Sequence, residues 1–303
     1  MRIILFHNPS AGRGAHVVEE LLVGLKRAGH EVHQGTLDDA DLDICLRDPG
    51  CVIAVAGGDG TVRRIALKLV GRRVPIAILP LGTANNVASA LGLPREPRDM
   101  IRQLESMVPW KYDVGRVNGP WGQSLFLEGT GFGPFVRTGL LLSNPSQQEV
   151  FNHPDEKLTR DRQLLEQMVR NYAVQACEVV LDDETLVEKC LAVHIMNLAT
   201  VGPNLRMAPG ADPGDGELDV VLVRDEDRRE FADFVADQRA GGHAEARFPV
   251  HRSRRVRLRW QGAEVHVDDE FHQTGEAGEL CAEVMPGELL FLRPPPHERA
   301  TAR

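Results

Sequence analysis

The sequence predicts a two-lobed protein of the α/β plus β class, with an N-terminal parallel-sheet domain followed by a C-terminal β-sandwich. Three observations predict it. The chain has 303 residues, beyond the size at which one hydrophobic core usually stops growing. Up to about residue 110, strand-like and helix-like patterns alternate, the signature of a parallel sheet covered by helices. After Lys111 the texture changes to a succession of short strands, interrupted by two helical inserts.

In the first lobe, residues 2–7 read as a strand. Val18, Leu21, Leu22 and Leu25 then recur at the i, i+3, i+4, i+7 spacing of an amphipathic helix closed by Gly29. A strand over 31–37, a helical stretch near 40–47, the apolar run 51–56, a helix from 61 to about 70, a strand over 74–79 and a helix from about 84 to 91 complete it. In the second lobe, strands are expected near 110–117, 124–127, 177–181, 190–198, 218–223, 254–260 and 263–267, with helices over 155–172 and 227–239. The final strand, 289–293, is expected to return to the first lobe, giving domains of about 1–115 with 289–303, and 116–288. The Pro294-Pro295-Pro296 tail should fray.

Composition narrows the function classes. The residues are 42% hydrophobic and 26% charged, and the formal net charge is −9, which argues against general nucleic-acid binding by phosphate neutralisation. No run approaches the ~18 apolar residues of a membrane span, and the first residues run directly into a motif instead of a signal peptide. The five scattered cysteines suit free buried thiols in a reducing cytoplasm. One basic stretch, Arg247 to Arg259, alternates Val256, Leu258 and Trp260 with Arg255, Arg257 and Arg259. It reads as a strand with one wet face, or as a contact for lipid headgroups or a partner.

The strongest local signal is Gly57-Gly58-Asp59-Gly60-Thr61, between a buried strand and a helix. Consecutive glycines permit close approach of a phosphate, and the helix N-terminus supplies N–H groups and a partial positive charge. Asp59 suits phosphate only through Mg²⁺ or its water. Two loops share this character, Asn8-Pro9-Ser10-Ala11-Gly12-Arg13-Gly14 and Pro80-Leu81-Gly82-Thr83-Ala84-Asn85-Asn86. In a parallel sheet all three emerge at the carboxyl ends of strands, where open α/β sheets bind ligands. A different reading attaches to His266-Val267-Asp268-Asp269-Glu270-Phe271-His272: on an unbroken strand, His266, Asp268, Glu270 and His272 would share one face and suit zinc or iron.

The three loops, in this order, resemble the catalytic domain of diacylglycerol and sphingosine kinases and their soluble bacterial relatives. The resemblance continues through Ala208 to Asp219, and through Asp268-Asp269-Glu270 before Met285-Pro286-Gly287. It implies an ATP-dependent kinase that phosphorylates a hydroxyl of diacylglycerol or a related lipid. Nucleotide and phosphates would be handled by Asn8, Ser10, Gly57, Gly58, Asp59, Gly60, Thr61, Gly82, Thr83 and Asn85. Asp59 and Glu270 would be catalytic, Glu270 as the base that takes the hydroxyl proton. Asp215 would hold a structural Mg²⁺ by its carboxylate, with backbone carbonyls of Asp212 and Glu217 beside it. The implied cofactors are ATP and Mg²⁺, and the implied partner is a lipid met at a membrane surface, by a cytoplasmic protein peripheral to the inner face and compatible with a homodimer.

The sequence departs from the family pattern at Arg63-Arg64, Asn86, Glu128 and Asp269. Two alternatives stand beside the lipid kinase: a kinase of a soluble hydroxyl compound such as NAD, and a nucleotide-binding regulatory protein of weak activity.

Overall fold

The computed structural model describes residues 1–7, 15–35, 48, 50–143, 154–275 and 277–295. Its contacts divide into two compact units, Met1–Tyr112 with Glu288–Arg303, and Asp113–Gly287. The expected helix near 40–47 and the loop 8–14 lie outside the described residues.

The first unit contains β1 (Arg2–His7), α1 (Ala15–Arg27), β2 (Glu31–Gln34), β3 (Cys51–Gly57), α2 (Asp59–Ala66), β4 (Pro75–Pro80), α3 (Asn86–Ala90) and α4 (Pro97–Gln103). The next strand, β5 (Val108–Gly119), begins there. The sheet is parallel, in the order β2, β1, β3, β4, and a last parallel neighbour is supplied by Leu290 and Phe291, which pair with Pro75 and Ile76. β3 is buried along its whole length, which is why Cys51 to Ala56 is a continuous apolar run with no alternation. α1 turns Val18, Leu21 and Leu25 inward. It ends on Lys26 and Arg27, with Gly29 in the left-handed region at φ 86°, a common way for a helix to stop.

The second unit contains β6 (Gly122–Phe126), β7 (Gly129–Phe132), α5 (Pro134–Leu142), α6 (Pro154–Asn171), β8 (Gln175–Val180), β9 (Thr185–Met196) and β10 (Leu218–Arg224). Then follow α7 (Arg228–Arg239), β11 (Val250–Ser253), β12 (Arg255–Trp260), β13 (Glu264–Val267), β14 (Glu270–Gln273) and the long β15 (Gly278–Arg293). This is a C-terminal β-sandwich with helical cover. One core lies between sheet layers and includes Phe126, Phe132, Val193, Ile195, Val220, Leu222, Val256, Leu258 and Trp260. A second lies under the helices and includes Phe135, Leu165, Val169, Val221, Val223, Phe231 and Val235. β10 feeds both, because successive side chains point to opposite faces. Val220 and Leu222 enter the first core, Val221 and Val223 the second.

The alternation expected around Arg255–Trp260 is present, with the three arginines exposed and Val256, Leu258 and Trp260 buried. Arg255 pairs with Glu283 at 3.2 Å, and Arg259 with Glu279 at 3.0 Å and Glu178 at 3.5 Å, so this face carries opposed charges instead of a uniform positive field. The cysteines depart from the expectation. Cys177 and Cys190 are free and buried, Cys281 is free but exposed, and Cys51 is disulfide-bonded.

Candidate functional site

In the first unit, β3 ends at Gly57 and α2 starts at Asp59, with Gly58 as its extended N-cap. The loop after β4 runs alongside. Leu81 N–H donates to the Gly57 carbonyl at 3.0 Å. The two backbones touch: a Cβ built on Gly82 would lie 2.5 Å from Gly58 Cα, and one on Gly58 would lie 2.9 Å from Gly82 Cα. No side chain fits at either position, so both must be glycine for the two loops to meet. Gly57 is fixed in turn by Thr61, whose Cβ would be 2.6 Å from a Cβ at that position.

Asn85 holds the second loop in shape. It adopts the left-handed conformation (φ 51°), its Oδ1 accepts from Gly82 N–H at 3.0 Å and its Nδ2 donates to the Gly82 carbonyl at 2.9 Å. Asp59 ties the loops together, its Oδ1 accepting from Val87 N–H at 3.1 Å. Burial pushes the Asp59 carboxyl up, against backbone N–H groups of Val87, Asn86, Asp59 and Asn85 that pull it down. Asp59 is half-buried, not on a fully exposed loop, and its carboxylate is engaged at the start of α3. Asp59→Asn is expected to weaken nucleotide affinity roughly tenfold or more, since the amide has one acceptor oxygen and loses the charge. Isothermal titration with ATP checks this, and unchanged affinity would count against the bracing role. Arg64 lies on the exposed face of α2. Asn8 and Ser10 lie outside the described residues.

In the second unit, Asp268 and Asp269 form the turn between β13 and β14. The Asp268 carboxylate accepts from three consecutive backbone groups, Leu127 N–H at 2.9 Å, Glu128 N–H at 2.9 Å and Gly129 N–H at 3.0 Å. It is an anchor. Asp268 carries the positive φ of this turn, 51°, while Asp269 is not in the left-handed region, so the absence of glycine at 269 strains nothing. Glu270 is exposed at the start of β14. Its carboxylate lies 4.0 Å from His272 Nε2, and the His272 ring stacks on Trp121 at 4.5 Å.

The turn removes the zinc or iron reading. His266 is buried and pairs with His194 across 3.2 Å, while its Nδ1 faces the Asp268 carbonyl at 3.1 Å. That carbonyl only accepts, so His266 Nδ1 carries the proton and His194 Nδ1–H donates to His266 Nε2. Burial pushes His266 down to about 4 and His194 well below the ordinary range. Both are therefore neutral spacers under the turn, and among the described residues no group of three or more His, Cys, Asp or Glu side chains is placed to hold a metal.

At Asp212, Asp215 and Glu217 the carboxylates are engaged within the turn. Asp212 Oδ1 accepts from Gly214 N–H at 3.1 Å, and Asp215 Oδ1 from Glu217 N–H at 3.0 Å. Arg252 donates one guanidinium nitrogen to Asp215 Oδ2 and lies 2.9 Å from Glu217 Oε2 with the same nitrogen. The Asp215 carboxylate that would receive Mg²⁺ is thus charge-paired with an arginine, and of the two carbonyls expected beside it, that of Asp212 accepts from Asp215 N–H at 3.3 Å.

Sequence reasoning missed Asp113, which organises this region. It is buried on β5, and its two oxygens accept from Gly287 N–H and Gly216 N–H, each at 2.7 Å. Both glycines are left-handed, at φ 63° and 79°, which turns their N–H groups onto one carboxylate. Burial pushes its carboxyl up and the two N–H groups pull it down. The signal was one charged residue in an otherwise apolar strand segment, Tyr112-Asp113-Val114. Asn197, also missed, is buried and donates to the carbonyls of Asp113 at 3.0 Å and Leu127 at 2.9 Å.

Asp219 on β10 is pushed up to about 6, chiefly by burial, with Arg252 pulling down and Asp215, Glu217 and Asp212 pushing up. Between pH ~4 and ~6 the folded chain keeps a proton that the unfolded chain has lost, so this group's contribution to stability falls as pH rises through that window. Asp219→Asn is expected to gain on wild type by up to about 3 kcal/mol across it and to hold that gain above pH ~6. Urea denaturation at a series of pH values checks this; a mutant difference independent of pH would contradict it.

Comparison with known proteins matches each half of the chain separately. Residues 2–117 match the model of the diacylglycerol kinase catalytic domain, and residues 157–293 that of the YegS C-terminal NAD kinase beta sandwich-like domain. A protein of Mycobacterium tuberculosis named diacylglycerol kinase is 25% identical over 304 residues, covering 97% of this chain and 95% of its own. The Bacillus subtilis protein of the same name is 25% identical over 307 residues, covering 96% and 93%. A Pseudomonas aeruginosa protein named "Probable lipid kinase YegS-like" is 27% identical over 319 residues, covering 98% of each. A crystal structure described as a diacylglycerol kinase from Bacillus anthracis superposes with a TM-score of 0.69 at 20% identity, over 97% of each chain.

Proposed function

The chain belongs to the diacylglycerol kinase-like family of lipid kinases, and we propose that it transfers the γ-phosphate of ATP to a hydroxyl of diacylglycerol or a related lipid. The observation that carries the reading is the backbone contact of Gly58 with Gly82 at the carboxyl ends of the neighbouring parallel strands β3 and β4. A cradle of this kind admits phosphate oxygens to backbone and helix N-terminus and excludes side chains. Gly57, Gly58, Gly60 and Thr61 form one wall, and Gly82, Thr83 and Asn85 the other. Asn8 and Ser10 lie outside the described residues and keep the nucleotide role that the sequence resemblance implies, while Asp59 ties the two walls through Val87 N–H.

ATP, when bound with Mg²⁺, supplies the phosphoryl group and its charge neutralisation. Glu270 accepts the proton of the attacking hydroxyl. Its solvent-facing position lets it reach an acceptor, whereas Asp268 is spent on three N–H groups. The lipid is met at a membrane surface by a cytoplasmic, peripheral protein. Among the described residues no helix is long and apolar enough to cross a membrane.

The test is the purified chain with labelled ATP and Mg²⁺, presented in parallel with diacylglycerol in mixed micelles, a total lipid extract, and NAD. Label in phosphatidate is the expected result. Label in NAD alone would move the activity to a soluble acceptor, and tight ATP binding with no labelled acceptor would identify a nucleotide-binding protein without turnover.

A further inference from the structure

The acidic turn of the second unit brings together Asp212, Asp215, Glu217 and Asp219, with the Asp113 carboxylate held on Gly216. Such a collection needs a counter-charge, since like carboxylates at close range raise one another's energy. The structure supplies one from β11. Arg252 reaches both Asp215 and Glu217 with the same guanidinium nitrogen. Arg252 is held in register by the sheet, because β11 pairs with β10 and Arg252 sits directly opposite Asp219. Sheet register thus fixes the Arg252 backbone opposite Asp219, and the half-exposed side chain is held at its end by the two ion pairs.

We infer that Arg252 is a built-in cation of the Asp212–Asp219 turn, serving there in place of a bound divalent metal, so that the second unit holds its shape without structural Mg²⁺. A guanidinium suits the task. It cannot lose its proton, and its planar fork presents several N–H donors to carboxylates on adjacent residues. A divalent ion on Asp215 and Glu217 would have to displace Arg252 and leave that charge beside its own. The turn is closed by carboxylates on backbone amides, Asp113 on those of Gly216 and Gly287, Asp212 on that of Gly214 and Asp215 on that of Glu217. The tail of the turn is likewise closed by backbone bonds, Asp215 N–H to the Asp212 carbonyl at 3.3 Å among them.

The experiment compares nucleotide-free wild type, Arg252→Gln and Arg252→Lys, stripped of metal with chelator and melted with and without millimolar Mg²⁺ or Ca²⁺. No nucleotide or acceptor is present, so the outcome is decided separately from whether the chain phosphorylates a lipid. Wild type is expected to melt at the same temperature in chelator and in Mg²⁺. Arg252→Gln is expected to lose about 3–6 °C in chelator and to regain most of it on adding either cation, because the vacated carboxylates then take a metal. Arg252→Lys, which keeps the charge, stays indifferent to both and gives the reading should the glutamine variant fail to fold. A wild-type melting temperature that rises saturably with Mg²⁺ would overturn the inference, as would an Arg252→Gln variant no more responsive to cations than wild type, or an Arg252→Lys variant that gains as much from Mg²⁺ as Arg252→Gln.

Discussion

Glu270→Gln is expected to lower kcat by about 10²–10⁴-fold while changing ATP affinity by no more than about twofold. A general base acts only as the proton leaves the hydroxyl, so its removal is felt in the transition state and not in nucleotide binding. The exchange keeps the shape and polarity of a side chain that is exposed at the head of β14, so the fold should be untouched. Two neighbours could be mistaken for it. Asp268 has its carboxylate on three backbone N–H groups, and a base so engaged has little reason to take another proton. His272 is stacked on Trp121, and its Nε2 lies 4.0 Å from the Glu270 carboxylate, beyond hydrogen-bond distance, so an influence on Glu270 would be an electrostatic positioning one. Parallel kinetics of Glu270→Gln and His272→Gln separate base from positioner, since only loss of the base should flatten the acid limb of the pH–rate profile. Retention of more than about a tenth of kcat in Glu270→Gln would remove it from the role.

Asp268→Ala is expected to cost about 3–5 kcal/mol of stability in addition to most of the turnover. The estimate has two parts. Leu127 and Gly129 are buried and Glu128 is half-buried, and each donor left without an acceptor costs about 1–3 kcal/mol, partly recovered by water. Alanine is also disfavoured by about 1 kcal/mol at the positive φ of residue 268, where Asp and Asn are at ease. Asp268→Asn keeps one oxygen and the backbone preference, so it should fall about midway. Urea denaturation of both variants at constant m-value is the measurement, and a loss under about 1 kcal/mol for Asp268→Ala would mean that the three bonds are not formed in solution.

Much of the fold was legible because single elements carry their own periodicity. The arginine-rich strand alternates, β3 is apolar throughout, and α6 and α7 repeat at helical spacing. What stayed hidden was set by neighbours. Gly129-Thr130-Gly131-Phe132-Gly133 has the composition of a loop, yet β7 is a buried strand because β9 and β13 pair with it on both sides. Pro286-Gly287 looks like a break, yet β15 continues through it to Arg293.

The site divided in the same way. Motif order brought forward the glycine-rich loops after β3 and β4 and the Asp268–Glu270 turn, since local glycines and helix starts are written in the sequence. It could not show that Asp268 is spent on residues 127–129, that Asp59 braces α3, or that Arg252 sits on Asp215. Those are contacts between residues tens of positions apart, and each depends on sheet register.

The carboxylate of Asp113 also bears on how the chain can reach this structure. Asp113 is the first residue of the second unit and Gly287 the last, and they are hydrogen-bonded at 2.7 Å across a separation of 174 residues. The second unit is therefore a closed excursion whose entry and exit meet. The first unit is discontinuous, and its fifth parallel strand segment, Leu290–Phe291, is synthesised only after the whole excursion. As a flexible loop, so long an excursion would cost only about 0.6 kcal/mol more to close than one half its length, and once it is folded its ends already meet at Asp113 and Gly287. Residues 113–287 form a compact unit of their own, whereas the parallel sheet of the first unit receives its edge segment Leu290–Phe291 from chain that follows the whole excursion.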